Sequence, residues 1–138
     1  MQVQQAIRWL KRSSCMHLTT FGDQGQSGTV PVWFFVRQGA IYFCSQAHTI
    51  KVRRIRRNPQ VSIGLGERAQ WVINCQARIV ENAPNLQSFL IRAYRRRYPL
   101  RWLWLGRGIK KRLVRGDEVI IELTPDDPET QRLLLNLA

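Results

Sequence analysis

Acidic residues are scarce in this chain of 138 residues, which contains 9 Asp and Glu against 22 Lys and Arg. No acidic residue occurs between Asp23 and Glu67, or between Glu81 and Asp117, and the formal charge is +13. Such an excess of cations indicates an anionic partner, which can be a nucleic acid, an acidic membrane surface or a polyanionic small molecule. The net charge alone does not choose among these three classes.

Cysteine and histidine are also few. Cys15, Cys44 and Cys75 are widely spaced and form no CxxC pair, so the pattern predicts neither a disulfide framework nor a zinc site, and a reducing cytoplasm is the expected compartment. His17 and His48 are the only histidines, and neither has a carboxylate beside it in the sequence. This disfavours a Ser-His-Asp arrangement or a His-rich metal site.

Long hydrophobic runs are absent as well. The first residues, MQVQQAIRWLKRSS, lack the apolar core of a signal peptide, and the most apolar later stretch, LRWLWLGRG, is short and interrupted by Arg. We therefore expect neither export nor a transmembrane helix. The chain does have 44% hydrophobic residues, with five Trp, three Tyr and five Phe. This composition supports a packed core, and the length fits one domain over residues 1–138.

The hydrophobic patterns predict a mainly β fold of the α+β class with flanking helices. The predicted elements are a helix over 3–12, an extended segment over 16–21, two β-rich runs in 29–45, a helix over 50–57, a hairpin over 60–81 that turns at 66–69, a helix over 85–98, a strand over 117–125 and a short final helix. The segment 99–115 gives no clear prediction. Six antiparallel strands fit a small closed or partly closed barrel, because closure removes exposed strand edges.

The stretch FCSQAHTIKVRRIRRNP, residues 43–59, has five cations within seven residues shortly after a predicted strand. A strand that ends in small polar residues and leads into a helix presents unpaired backbone N–H groups and the positive end of the helix dipole. Ser45, Thr49 and Lys51 can therefore converge on one phosphate group. The alternative is that Thr49 only caps the helix while the cations form a solvated face.

The ordered series TVPVWFFV, a glycine turn, IYFCS and TIKVRRIRRNPQVSI resembles the pyridoxamine 5'-phosphate oxidase-like family of flavin-binding split barrels. The resemblance extends from about Leu18 to Pro125. It implies a homodimeric split β-barrel that holds FMN, or in relatives the deazaflavin coenzyme F-420, at the dimer interface. The flavin would carry the hydride chemistry while the protein binds and orients it, so the resemblance implies no catalytic side chain.

The resemblance also implies which residues contact the cofactor. Ser45, Thr49 and Lys51 would bind the phosphate, the run from Val30 to Trp33 would lie along the ring system, and Gln70 would reach the flavin from the other subunit. The complete set of implied cofactor-binding residues is Val30, Pro31, Val32, Trp33, Cys44, Ser45, Thr49, Lys51 and Gln70.

Two features depart from the oxidases of this family. Ile50 stands where many of them have an Arg that shares the phosphate, and no residue matches the Arg and His that recognise pyridoxamine phosphate. The sequence looks closer to the branch with the deazaflavin-dependent reductases, whose coenzyme has a polyanionic glutamate tail. The resemblance thus implies a flavin- or deazaflavin-dependent oxidoreductase of unknown substrate. The alternatives are a basic nucleic-acid-binding protein, or a non-catalytic flavin- or haem-binding protein on the same fold.

The basic block, residues 92–115, contains ten cations and no acid. It could hold the anionic tail of a cofactor, or its interleaved Tyr and Trp could stack on single-stranded nucleic acid while the cations follow the backbone. It could also place Trp102, Leu103 and Trp104 in the headgroup region of a membrane. The remaining interpretation is a helix end and loop whose Arg side chains point to solvent.

Overall fold

The computed structural model describes residues 2–81 and 83–137, with five helices and seven strands in that part of the chain. Their order is α1 (Gln2–Arg12), β1 (Met16–Phe21), β2 (Ser27–Val32), β3 (Phe35–Arg37), β4 (Ala40–Gln46), α2 (Ile50–Arg57), β5 (Gln60–Leu65), β6 (Trp71–Val80), α3 (Pro84–Arg97), α4 (Pro99–Arg115), β7 (Glu118–Pro125) and α5 (Pro128–Leu135).

The seven strands form one antiparallel sheet in the order β2-β1-β5-β6-β7-β4-β3. The sheet curls into a split barrel, with β2 and β3 as its edge strands. β4 pairs with β7 so that Ser45 lies opposite Val119, and Gln46 lies opposite Glu118. This register brings the start of β7 beside the end of β4, where the chain turns into α2.

The core lies on both faces of β4 and β7. Alternate residues of β4 point to opposite sides, so that Ile41 and Phe43 join one cluster with α1, α2 and α5, while Ala40 and Tyr42 join another with α3 and α4. In β6 the exposed positions alternate with buried ones. β4 and β7 are therefore packed on both faces, whereas β6 is packed on one.

The predicted six strands are corrected to seven, because the β-rich run over 29–36 is two strands. Trp33 and Phe34 separate β2 from β3. Their backbone groups bond to tyrosines, since the Tyr94 hydroxyl donates to the Trp33 carbonyl at 3.2 Å and the Phe34 N–H donates to the Tyr98 hydroxyl at 3.3 Å. These bonds satisfy buried backbone groups outside the strand ladders.

The hairpin turn over 66–69 and the helix over 50–57 are confirmed. The segment 99–115 that gave no clear prediction is the longest helix, α4. It buries Trp102, Gly106, Ile109 and Leu113 at helical spacing. Gly116, with φ of 83°, ends this helix in the left-handed conformation that glycine adopts without strain.

Candidate functional site

The corner between β4 and α2 brings two hydroxyl groups close together. Ser45 is 5% exposed at the end of β4, and its Oγ lies 3.2 Å from Oγ1 of Thr49, the N-cap residue of α2. Thr49 occupies the predicted cap position, but its hydroxyl donates to the Gln46 carbonyl at 2.9 Å and makes no side-chain capping bond. The N–H groups in the first turn of α2 are thus not satisfied by their cap residue.

A cavity of about 260 Å³ opens at this corner, and we call it the corner cavity. Residues from β2, β4, α2, α3, α4 and β7 line it, together with residues that follow these strands. They are Pro31, Val32, Trp33, Cys44, Ser45, Gln46, Thr49, Lys51, Tyr94, Ile109, Arg112 and Glu118.

Seven of the nine residues predicted to contact a cofactor line the corner cavity. The other two are Val30 and Gln70, which are both exposed and lie elsewhere on this chain. Gln70 lies beside β6 and lines a different pocket near Trp71, where its Oε1 accepts from the Arg68 N–H at 3.0 Å. The structure describes one chain, so the predicted role of Gln70 across a subunit interface stays a prediction.

Tyr94, Arg112 and Glu118 also line the cavity and are not in the predicted set. Arg112 Nε donates to Glu118 Oε1 at 2.7 Å, and the Glu118 side chain is 5% exposed. The left-handed turn at Gly116 brings the two residues together across the end of α4. A sequence prediction of a helix that ends at Gly116 would have found this pair, because the turn at Gly116 reverses the chain between Arg112 and Glu118.

An aromatic cluster forms one wall of the corner cavity. The Trp33 ring stacks on Tyr98 with a centroid distance of 4.2 Å and an interplanar angle of 8°, and it meets the edge of Tyr94 at 5.5 Å. The Tyr94 hydroxyl accepts from the Cys44 N–H at 3.3 Å while it donates to the Trp33 carbonyl. One face of Trp33 is therefore covered within this chain, and only its other face remains for a ligand.

Burial changes the pKa values of two cavity groups. It lowers the pKa of Lys51 below 10.5, although the neighbouring Glu118 and Cys44 act in the opposite direction. Burial, followed by the charge of Glu118, raises the pKa of the Cys44 thiol well above 9.0. Cys44 is therefore a neutral wall of the cavity and not a thiolate nucleophile.

The other cations of α2 line a separate groove of about 550 Å³ beside the β1–β2 turn. Arg53, Arg54, Arg56 and Arg57 reach this groove, and Arg57 donates to Asp23 Oδ2 at 3.0 Å. The five cations of the stretch over residues 43–59 are thus divided. Lys51 faces the corner cavity, while the four arginines face the groove.

The described residues, 2–81 and 83–137, contain no group of three or more His, Cys, Asp or Glu arranged to hold a metal ion. None of the helices in that part of the chain is long and apolar enough to cross a membrane.

An antiparallel split barrel with a cationic cavity at a strand-to-helix corner defines the class of this protein. The family model for pyridoxamine 5'-phosphate oxidase matches residues 3–132. The chain belongs to this family, which confirms the resemblance identified from the sequence.

Solved structures with low sequence identity share the fold. A haem storage protein from Vibrio cholerae is 17% identical, with 92% of each chain covered and a TM-score of 0.65. A FAD-binding protein from Mesorhizobium loti is 15% identical, with 90% of this chain and 89% of that chain covered and a TM-score of 0.58. An F-420 reductase is 17% identical, with 87% of this chain and 92% of that chain covered and a TM-score of 0.58. No curated protein matches the chain.

Proposed function

We propose that the protein is a homodimeric flavin-binding oxidoreductase, and that the corner cavity holds the phosphate group of FMN or of coenzyme F-420. The observation that carries this proposal is the convergence of Ser45, Thr49 and Lys51 at the start of α2. A helix N-terminus favours an anion through its N–H groups and its dipole.

The donor groups in the corner cavity suit one phosphate. The Ser45 hydroxyl and the Lys51 ammonium can donate hydrogen bonds to it, and the Thr49 hydroxyl can do so once it turns away from the Gln46 carbonyl. Arg112 contributes a second cation in the same cavity. Lys51 and Arg112 together with Glu118 give a net charge of +1. Ile50 is 64% exposed and lines the separate groove. Arg112 can therefore take the place of the arginine that many oxidases of the family have at the position of Ile50.

The volume of the corner cavity supports a cofactor shared between two subunits. Pockets that enclose a small organic molecule usually measure roughly 300 to 1,000 Å³, and the corner cavity is smaller, at about 260 Å³. It fits the phosphate end of a flavin, while the ring would extend along Pro31 to Trp33 towards a second copy. A bound flavin would supply the hydride chemistry, and the protein would position it and exclude water.

Two kinds of relative favour a flavin. One shares the fold as a FAD-binding protein and the other as an F-420 reductase. The glutamate tail of coenzyme F-420 needs cations beyond the phosphate site, and exposed arginines of α2 and α3 provide them. FMN has no such tail, so the two cofactors make different demands on this chain.

A haem-binding function is the alternative suggested by the Vibrio cholerae relative. The residues that line the corner cavity include no histidine. His48 lies in the turn before α2 and is exposed, whereas His17 is on β1. Since histidine is the usual axial ligand of haem, the cavity favours a flavin over a haem.

The test is a comparison of ligands that differ only at the phosphate. We expect FMN to bind at micromolar concentration, measured by quenching of flavin fluorescence, and riboflavin to bind at least about tenfold more weakly because it lacks the charged group. Coenzyme F-420 and haem are titrated in parallel by absorbance. Failure of both FMN and coenzyme F-420 to bind would refute the proposal, and equal affinity for FMN and riboflavin would place the phosphate outside the corner cavity.

A further inference from the structure

The outer face of α4 exposes large apolar side chains. Trp104 is 87% exposed, Leu103 is 79% exposed and Leu100 is 77% exposed, and Leu105, directly after Trp104, is 53% exposed. Trp102, one of the residues that the sequence suggested for a membrane contact, is instead buried. Four neighbouring apolar side chains of this size form a patch on the order of a few hundred Å², a size that often marks an interaction site.

Cations surround the apolar patch. Arg101 lies within it, and Arg107, Lys110 and Lys111 are exposed on the two turns that follow. No acidic residue occurs between Glu81 and Asp117. Apart from Arg101 the outer face of α4 is therefore apolar in its first half, and it is mainly positively charged in its second half, where Val114 is also exposed.

A second copy of the chain is a poor match for this face. A two-fold contact would bring the cations of one α4 close to those of the other, and like charges repel. The chain also lacks an obvious acidic surface to offer, because five of its nine acidic residues are already in ion pairs: Asp23, Glu81, Glu118, Glu122 and Glu129.

A single-stranded nucleic acid is also a poor match. Stacking of bases needs exposed aromatic rings, but Tyr94, Tyr98 and Trp102 are all buried. Trp104 is the one aromatic residue of the basic block that is exposed in the described part of the chain. Its exposed apolar neighbours in the first two turns of α4 are leucines, which do not stack on bases.

We propose that the outer face of α4 docks on a membrane surface that contains anionic lipids. Leucine and tryptophan side chains enter the boundary between headgroups and acyl chains, while lysine and arginine side chains contact the anionic headgroups. Trp104 has the amphipathic ring that is enriched at this depth. The buried face of α4 stays packed on the protein, so the helix lies parallel to the surface and does not span it.

The test uses the full chain and lipid vesicles in a flotation assay. We expect binding to vesicles of phosphatidylcholine and phosphatidylserine, little binding to phosphatidylcholine alone, and weaker binding as the salt concentration rises. Tryptophan emission should shift to the blue on binding, and the shift should disappear in Trp104→Phe, which keeps an apolar ring but removes the exposed indole.

Two variants with matched controls separate docking from simple charge attraction. Leu103→Ser with Trp104→Ser should weaken binding by about tenfold or more, because two apolar side chains no longer leave water. Leu135→Ser, on α5, removes another exposed leucine and should leave binding unchanged. Arg107→Gln, Lys110→Gln and Lys111→Gln together should also weaken binding by about tenfold or more. Arg8→Gln, Lys11→Gln and Arg12→Gln change the net charge equally and should have a much smaller effect.

Three results would overturn the proposal. The first is equal vesicle binding by all variants, which would indicate attraction by net charge alone. The second is absence of vesicle binding with a dimer that dissociates only in the Leu103 and Trp104 variant, measured by sedimentation velocity, which would assign the face to a second copy. The third is RNA binding that depends on this face in the absence of vesicle binding. Circular dichroism shows that each variant is folded before it is used.

Discussion

The ten cations of the basic block fall into two groups that differ in their contacts. Arg97 and Arg112 are half-buried: Arg97 Nη2 donates to the Ser13 carbonyl at 2.7 Å and Arg112 pairs with Glu118. The other eight are exposed, and none of them is in an ion pair within the described residues. A run of charge in the sequence therefore combines residues that hold the fold, residues that line a cavity and residues that face solvent.

Among the cations of the basic block, we expect Arg97 to contribute most to the free energy of unfolding. Its guanidinium lies over the Phe34 ring at 4.6 Å as well as bonding to Ser13. We expect Arg97→Ala to lower the free energy of unfolding by about 2 to 3 kcal/mol, because a charged hydrogen bond and a cation–π contact are both lost. Urea unfolding measures this difference.

The matched control for Arg97 is its neighbour Arg96, which is exposed. Arg96→Ala should change the free energy of unfolding by no more than about 0.5 kcal/mol. Equal effects of the two substitutions would contradict the division of the block into two groups. A substitution that neutralises Arg95, Arg96 and Arg97 together would confuse loss of a cofactor contact with loss of stability.

Lys51 and Arg53 extend the comparison to α2, where one cation faces the corner cavity and the other faces the separate groove. Lys51→Ala should weaken FMN binding by about 1.5 to 3 kcal/mol, the range for a lost hydrogen bond to a charged group. Arg53→Ala should change FMN affinity by less than about 1 kcal/mol, since an exposed cation contributes little. Fluorescence titration measures both, and an unchanged affinity in Lys51→Ala would place the phosphate elsewhere.

The sequence predicted the parts of the molecule that depend on local patterns. The β4 strand end, the cap position of Thr49 and the α2 bounds follow from residues close together in the chain, and the structure confirms them. The division of β2 from β3 depends on hydroxyls of Tyr94 and Tyr98, which lie about sixty residues later in the chain. Such long-range bonds leave no periodic signal.

The predicted site shows the same limit. The predicted residues that line the corner cavity come from the short segments 31–33 and 44–51, where the family pattern lies, and their contact with a cofactor stays a prediction. Arg112 and Glu118 were missed because their approach requires that 99–115 be a helix and that Gly116 reverse the chain. The alternation of apolar and cationic residues in that segment concealed the helix, since more of its large apolar side chains face outwards than towards the core.

The smallest expected effect is a pH dependence of FMN binding, because Lys51 can lose its proton whereas an arginine at the same position cannot. Because burial lowers the pKa of Lys51 below 10.5, the ammonium loses its proton at a lower pH than an exposed lysine would. Its charge is present well below that pKa and disappears as the pH rises through it. FMN affinity should therefore begin to fall at a lower pH than it would beside an exposed lysine, and should go on falling as the pH rises through the pKa of Lys51. The Cys44 thiol, with its raised pKa, stays neutral longer than a free thiol and interferes less.

Lys51→Arg provides the control, because the guanidinium keeps its charge throughout this range. Ionisation of the flavin ring itself affects both proteins equally, so the ratio of their affinities at each pH isolates the proton on Lys51. We expect this ratio to shift in favour of the Arg variant as the pH rises, and the same ratio measured with riboflavin, which has no phosphate, to show no such shift. Parallel curves for the two proteins would mean that the ammonium of Lys51 does not contact the phosphate, and that Arg112 and the N–H groups of α2 hold it without a lysine.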